Sequence, residues 1–190
     1  MADPLHSTEH LFDEAWASTN KELAGDSDRA AAIVGCALLD DRLGALHTEF
    51  FVQNQDGWSE LLNSDDSNAP LGSFGARIVA AYAVGLIDQT QRDALRRLKK
   101  VRNAFAHKTG LSFADQAITA HCEAAAKLCP TTSIAGQQHG TRELFQHTVA
   151  LLAGRIAEHR YLIQTFGLKG TFDAVFKAAV ARDREGTSAG

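Results

Sequence analysis

The stretch "CALLDDRLGALHTEF", residues 36–50, decides the fold class. Cys36, Leu39, Leu43, Leu46 and Phe50 recur at alternating steps of three and four residues. That spacing aligns one face of an α-helix, whereas a strand alternates with period two and would split the set. Asp40, Asp41 and Arg42 fall off the centre of the stripe, where charges stay solvated. Upstream, "DSD" at 26–28 supplies N-cap side chains, so the helix is expected to open there and run to Phe50.

Outward from this helix the chain keeps the same pattern. Residues 53–68 turn polar, with "NQDG" and "NSDDSNAP", and read as a loop holding a short turn around Trp58–Leu62. Ser73 caps a helix over "FGARIVAAYAVGLI", whose Phe74, Ile78 and Tyr82 share one face. Asp88 and Gln91 have the spacing of a capping box and open the next helix, with Gly110 as its stop signal. Ser112 and Asp115 offer another N-cap before a helix to about Leu128. The polar connection "CPTTSIAGQQHG" then leads into a helix over 141–166. At the ends, residues 8–24 form a first helix, 171–182 a last one, and "DREGTSAG" a frayed tail. The expected architecture is all-α, a single-domain bundle of about six or seven helices. Residues 1–25 form its N-terminal helix, 26–182 its body and 183–190 a flexible tail.

Composition narrows the function classes. A chain of 190 residues with 45% apolar content can bury a core of its own, and three prolines leave room for long helices. A net charge of -4 excludes a chain whose whole surface binds nucleic acid, though a local basic patch is compatible with it. Cys36, Cys122 and Cys129 contain no C-x-x-C pair, so neither a zinc ribbon nor a disulfide framework is indicated. Cys122 and Cys129, seven apart, share a helical face as small buried hydrophobes. The start "MADPLHSTEHLFDEAW" lacks a signal-peptide pattern, and no apolar run reaches the roughly 18 residues of a membrane span. The chain reads as a soluble cytoplasmic protein with no cofactor and no metal. His6 with His10, and His121 beside Cys122, have metal-like spacing but lack a third ligand in sequence. "GSFGARI" follows no strand and is no phosphate loop, so Gly72 and Gly75 serve close packing. Trp16 and Trp58 read as anchors of the terminal helix and the long loop.

The helix opened by Asp88 carries the chemistry. With about 100° per residue, Ala94, Leu98, Val101 and Phe105 form its buried face. Opposite lie Arg92, Arg96, Lys99, Lys100, Asn103 and His107, a cationic stripe ending in an amide and an imidazole. Asn103 and His107 are i, i+4 neighbours, whereas Arg102 stands about 140° from His107. Joint action of Arg102 and His107 therefore calls for a helix distorted near His107 or for a second copy that completes the site, and a dimer is the expected form. Two readings stay open. Any surface helix shows a charged stripe, and cations near a helix C-terminus are stabilised by roughly 0.3–1 kcal/mol each. The sharper reading is metal-independent RNA cleavage. His107 would move the proton, Arg102 would hold the phosphate, Asn103 would orient His107 or bind a phosphate oxygen, and Arg92, Arg96, Lys99 and Lys100 would bind RNA or a partner.

Two resemblances meet at these residues. "RNAFAH" at 102–107 resembles the R-N-x-x-x-H signature of HEPN domains, small helical domains often found as dimeric ribonucleases and toxins. That resemblance implies Arg102 and His107 as a catalytic pair in a cleft between two subunits, with Asn103 as the polar residue beside them. More widely, "ALLDDRLGALHTEFF" at 37–51, "APLGSFGARIVAAYAVGLID" at 69–88 and "LKKVRNAFAHKTGLSF" at 98–113 resemble the mannitol operon repressor family in order and spacing. That family implies a helical regulator of sugar-uptake genes without a DNA-reading module, and no helix-turn-helix or zinc-finger pattern occurs here. The expectation is a homodimeric, non-enzymatic regulator acting through a protein partner. The alternative is an endoribonuclease using Arg102 and His107. Across such a bundle, Asp40 and Asp41 are the acidic groups placed to pair with Arg102.

Overall fold

Ser27 opens the first long helix, its Oγ accepting a hydrogen bond from the Ala30 amide at 3.2 Å. This is the cap expected from the "DSD" run. The computed structural model describes residues 17–19, 21, 23, 27–51, 55–63, 68–129 and 139–166. Six bounded helices follow one another: α1 (Asp28–Phe50), α2 (Gln55–Leu62), α3 (Phe74–Ala83), α4 (Gln89–His107), α5 (Gln116–Leu128) and α6 (Thr141–Phe166). Residues 17–19, 21 and 23 are helical too, with Thr19 and Leu23 buried. No described residue belongs to a strand, so the all-α, single-domain bundle is the fold observed. The expectations for residues 1–16, for a helix over 171–182, for the tail, for His6 and His10, and for Trp16 and the Trp58 side chain lie outside the described residues.

The packing follows the stripes. Cys36, Leu39, Leu43, Leu46 and Phe50 of α1 are all buried. They meet Phe145, Val149 and Leu152 of α6 and Leu95, Leu98, Val101 and Phe105 of α4 in one core. Each such leucine contributes about 1.5–3 kcal/mol by leaving water. Asp28 binds Arg142 at the start of α6 and Glu49 binds Gln164 near its end, so α1 and α6 run parallel. Arg29 donates to the Ala106 carbonyl and Cys36 to the Leu98 carbonyl, so α4 runs antiparallel to α1. Gly35 lets the first pair close up, since a Cβ there would stand 3.0 Å from Phe145. The three cysteines are buried thiols, and burial pushes Cys36 and Cys122 up to about 12 and Cys129 to about 11.

Three local expectations are corrected. The turn at Trp58–Leu62 is a two-turn helix that starts at Gln55. Tyr82 does not share the buried face of α3; Arg77, Ile78 and Ala81 fill it, and Tyr82 is 38% exposed. Asp115 sits at the N-cap of α5 but caps nothing. Its carboxylate turns back to the Ser112 amide at 2.7 Å and satisfies the preceding turn instead.

The Arg77 guanidinium, not distinguished by its spacing in the sequence, is buried at a junction of three helices. It is 7% exposed, lies where a Cβ on Gly44 would stand 3.6 Å from it, and donates to Asp40 Oδ1 (2.7 Å), Leu71 O (2.9 Å) and Leu62 O (2.9 Å). One side chain thereby ties α1, the end of α2 and the approach to α3 together. Its fork geometry suits the task, because each N–H meets a different acceptor.

Candidate functional site

The helix that carries the sequence motif is built at both ends by side chains. The capping box forms as expected: Asp88 Oδ1 accepts from the Gln91 amide at 2.7 Å, and Gln91 Oε1 accepts from the Asp88 amide at 2.9 Å. At the other end Arg29 of α1 donates to the Ala106 carbonyl at 3.1 Å, which places a cation on the negative end of α4. Gly110 then adopts a φ of 74°, a left-handed conformation that glycine takes without steric cost, and the chain turns away. The buried face is the one expected, with Leu95 added to Ala94, Leu98, Val101 and Phe105.

The motif residues are only partly brought together. Arg102 and His107 are both exposed, His107 being the last residue of α4. Arg102 Nη1 donates to Asn103 Oδ1 at 3.2 Å, so these neighbours touch although they point in different directions around the helix. Asp40 is not paired with Arg102. Its ion pair is with Arg77 at 2.7 Å, and Arg102 acts on it only as a weaker, more distant cation. Burial raises the Asp40 carboxyl above its usual range despite that pair. Asp41 is exposed on the next position of α1.

The cationic stripe is divided. Arg92 is drawn aside: its guanidinium lies 4.2 Å from the centre of the Tyr82 ring and pairs with Asp93 at 2.8 Å. Lys99 reaches across α3, its ammonium end lying over Gly75, where a Cβ would collide with it. The close packing expected of Gly72 holds as well, since a Cβ there would stand 2.8 Å from the Asn63 carbonyl. Arg96, Arg97, Lys99, Lys100 and Asn103 then line an open cavity of about 660 Å³, with Leu128 of α5 as its apolar wall. Arg97 was not part of the stripe read from sequence. It joins because α5 closes the side of α4 on which it lies, and a single-helix projection contains no second helix.

His121 on α5 is held below the usual imidazole range, first by burial and then by Lys100 and Arg97. Like charges at i, i+3 and i, i+4, as in Arg92, Arg96 and Lys100, cost a helix roughly 0.2–0.5 kcal/mol per pair. Six arginines and lysines against one aspartate on α4 contrast with a chain whose net charge is -4. Among the described residues no three His, Cys, Asp or Glu side chains gather as a metal site. No described helix is long and apolar enough to cross a membrane.

Comparison with solved structures decides the fold type. The chain is similar to one in the X-ray structure of the MtlR–HPr complex from Escherichia coli, with a TM-score of 0.57 and 20% identity. The match covers 78% of this chain and 99% of that one. The fold is MtlR-like. At this identity the likeness concerns the path of the helices. No family profile and no curated protein matches the sequence. The MtlR-like arrangement places α3 and the cationic face of α4 side by side on the surface, where Val79, Tyr82 and Val84 are exposed at 51%, 38% and 38%.

Proposed function

We propose that this chain is a dimeric, non-enzymatic regulatory protein of the cytoplasm that works through protein–protein contacts. The observation that carries the reading is the pair of exposed apolar side chains Val79 and Tyr82 on α3, with Val84 exposed just past its end and Arg92 of α4 against the Tyr82 ring. An exposed apolar patch rimmed by charge is the usual anatomy of a protein contact. Two further facts support it. Residues 37–113 resemble mannitol operon repressors, and the fold is similar to MtlR, whose structure was solved in complex with HPr. HPr of the same cell is accordingly the first partner to test. Titration calorimetry should detect its binding, and Val79→Asp should weaken it at least tenfold, since a buried unpaired carboxylate costs several kcal/mol. Binding that ignores Val79→Asp, or no binding at all, counts against the reading. Sedimentation at about 10 µM, a concentration at which a Kd in the low-micromolar range is populated, should show twice the 20.4 kDa chain mass.

A second reading is an RNase of the HEPN type. Its support is the exposed Arg102–Asn103 pair followed by His107 at the helix end, next to a cationic cavity. It predicts RNA cleavage that survives chelator, leaves 2′,3′-cyclic phosphate ends and disappears in Arg102→Ala and His107→Ala. Both side chains are exposed, so neither change should alter stability.

A further inference from the structure

We propose that the cavity between α4 and the end of α5 binds a compact polyphosphate group, held by Arg96, Arg97, Lys99 and Lys100 with the Asn103 amide. Four cations line one space of about 660 Å³, a volume that suits a small ligand. Asp93, the acid on the same wall, is already neutralised by Arg92 at 2.8 Å. An anion of three or four charges therefore matches what the cavity holds. Arginine forks and lysine ammonium groups are the side chains that take phosphate oxygens, the first bidentate and the second as point charges. The spacing along α4 also fits. Arg96 with Lys99, and Arg97 with Lys100, repel each other across one helical turn, and a polyanion between them turns that repulsion into attraction.

A compact group fits better than an extended strand. The stripe that a nucleic-acid backbone would follow is interrupted at its first cation. Arg92 is stacked on Tyr82, and Arg102 is turned toward Asn103 and the α1 side, where it acts on Asp40 and Cys36. What remains is Arg96, Arg97 and Lys100 beside Asn103, with Leu128 behind them and the Lys99 ammonium resting over Gly75. His121 of α5 lies close enough to Lys100 and Arg97 that, after burial, their charges lower its proton affinity further.

The test uses the purified full chain alone, so its outcome is separate from that of the HPr experiment. Sodium tripolyphosphate is titrated calorimetrically into wild type, Arg97→Gln, Lys100→Gln and, as a control outside the cavity, Arg155→Gln. A hydrogen bond to a charged group is strong enough that each cavity variant should lose roughly tenfold or more in affinity, while the control is unchanged. Binding should weaken as salt rises. A nucleoside triphosphate arm distinguishes the source: equal affinity means that the phosphates alone are read, and tighter binding means that the attached group packs on Leu128. The proposal is overturned if tripolyphosphate fails to bind at millimolar concentration, or if citrate binds as tightly. It is also overturned if the cavity variants keep wild-type affinity, or if a short single-stranded RNA binds there and excess tripolyphosphate does not displace it.

Discussion

Replacing Arg77 with methionine should be among the most damaging single changes in this protein. The side chain is 7% exposed and its three nitrogens donate to Asp40 Oδ1, Leu71 O and Leu62 O at 2.7–2.9 Å. Methionine fills the space over Gly44 but donates nothing, so two carbonyls and a half-buried carboxylate lose their partner. Each buried polar group left without a hydrogen bond costs about 1–3 kcal/mol. Removing one member of a buried ion pair costs about 3–5 kcal/mol. Because Asp40 keeps 27% of its side-chain surface and can draw on water, the lower half of that range is expected, about 3–4 kcal/mol. With a urea slope of roughly 2 kcal/mol/M, the unfolding midpoint should fall by about 1.5–2 M at unchanged slope. Asp40→Asn alone should cost less, and the double variant should be less destabilised than the sum of the singles, since the pair couples directly. A midpoint shift below about 0.5 M for Arg77→Met, or additive behaviour in the cycle, would show that this arginine does not organise the α1–α2–α3 corner.

Other expectations concern pH and glycine. His47 and His159 are buried, and burial holds both below the usual imidazole value of 6.5. A histidine with a depressed folded pKa binds protons more readily unfolded, so its contribution is complete above pH 6.5 and is lost as pH falls below it. The raised Asp40 carboxyl works the other way, favouring the folded state as it protonates at lower pH. Urea midpoints should therefore drop between pH 7 and pH 5.5, and His47→Leu should flatten the drop; an unchanged slope refutes the assignment. Gly75→Ala should be tolerated or add up to about 0.5–1 kcal/mol, because only the flexible end of Lys99 must move. Gly35→Ala meets the Phe145 ring instead, and overpacking of about 1–3 kcal/mol should outweigh the helical gain. Equal midpoints for the two would contradict the close approach of α1 to α6.

What the sequence made legible was whatever depends on spacing along one helix. The stripe of Cys36, Leu39, Leu43, Leu46 and Phe50 and the caps at Ser27, Ser73 and Asp88 are local, and each appears where it was expected. Arg77 was illegible for the opposite reason. Its partners lie 6, 15 and 37 residues away, and in sequence it is one more charge on an alanine-rich helix. The same limit shaped the site. Angular projection separated Arg102 from Asn103, but a long side chain can fold back along its own helix and did, at 3.2 Å. Projection likewise left Arg97 out, because the wall that makes it part of a cavity comes from α5.

The residues of that cavity all fall between Asp93 and Leu128, on two helices consecutive in the chain. The contact of Asp28 with Arg142, by contrast, joins residues 114 apart, and closing so long a loop carries a larger entropic penalty than closing a short one. The cavity is thus lined by one helical hairpin, which rests on the α1–α6 pair through Leu95, Leu98, Val101 and Phe105. None of its lining residues belongs to α1 or α6, so the basic hollow can be retuned through a few side chains without changing the contacts that join those two helices.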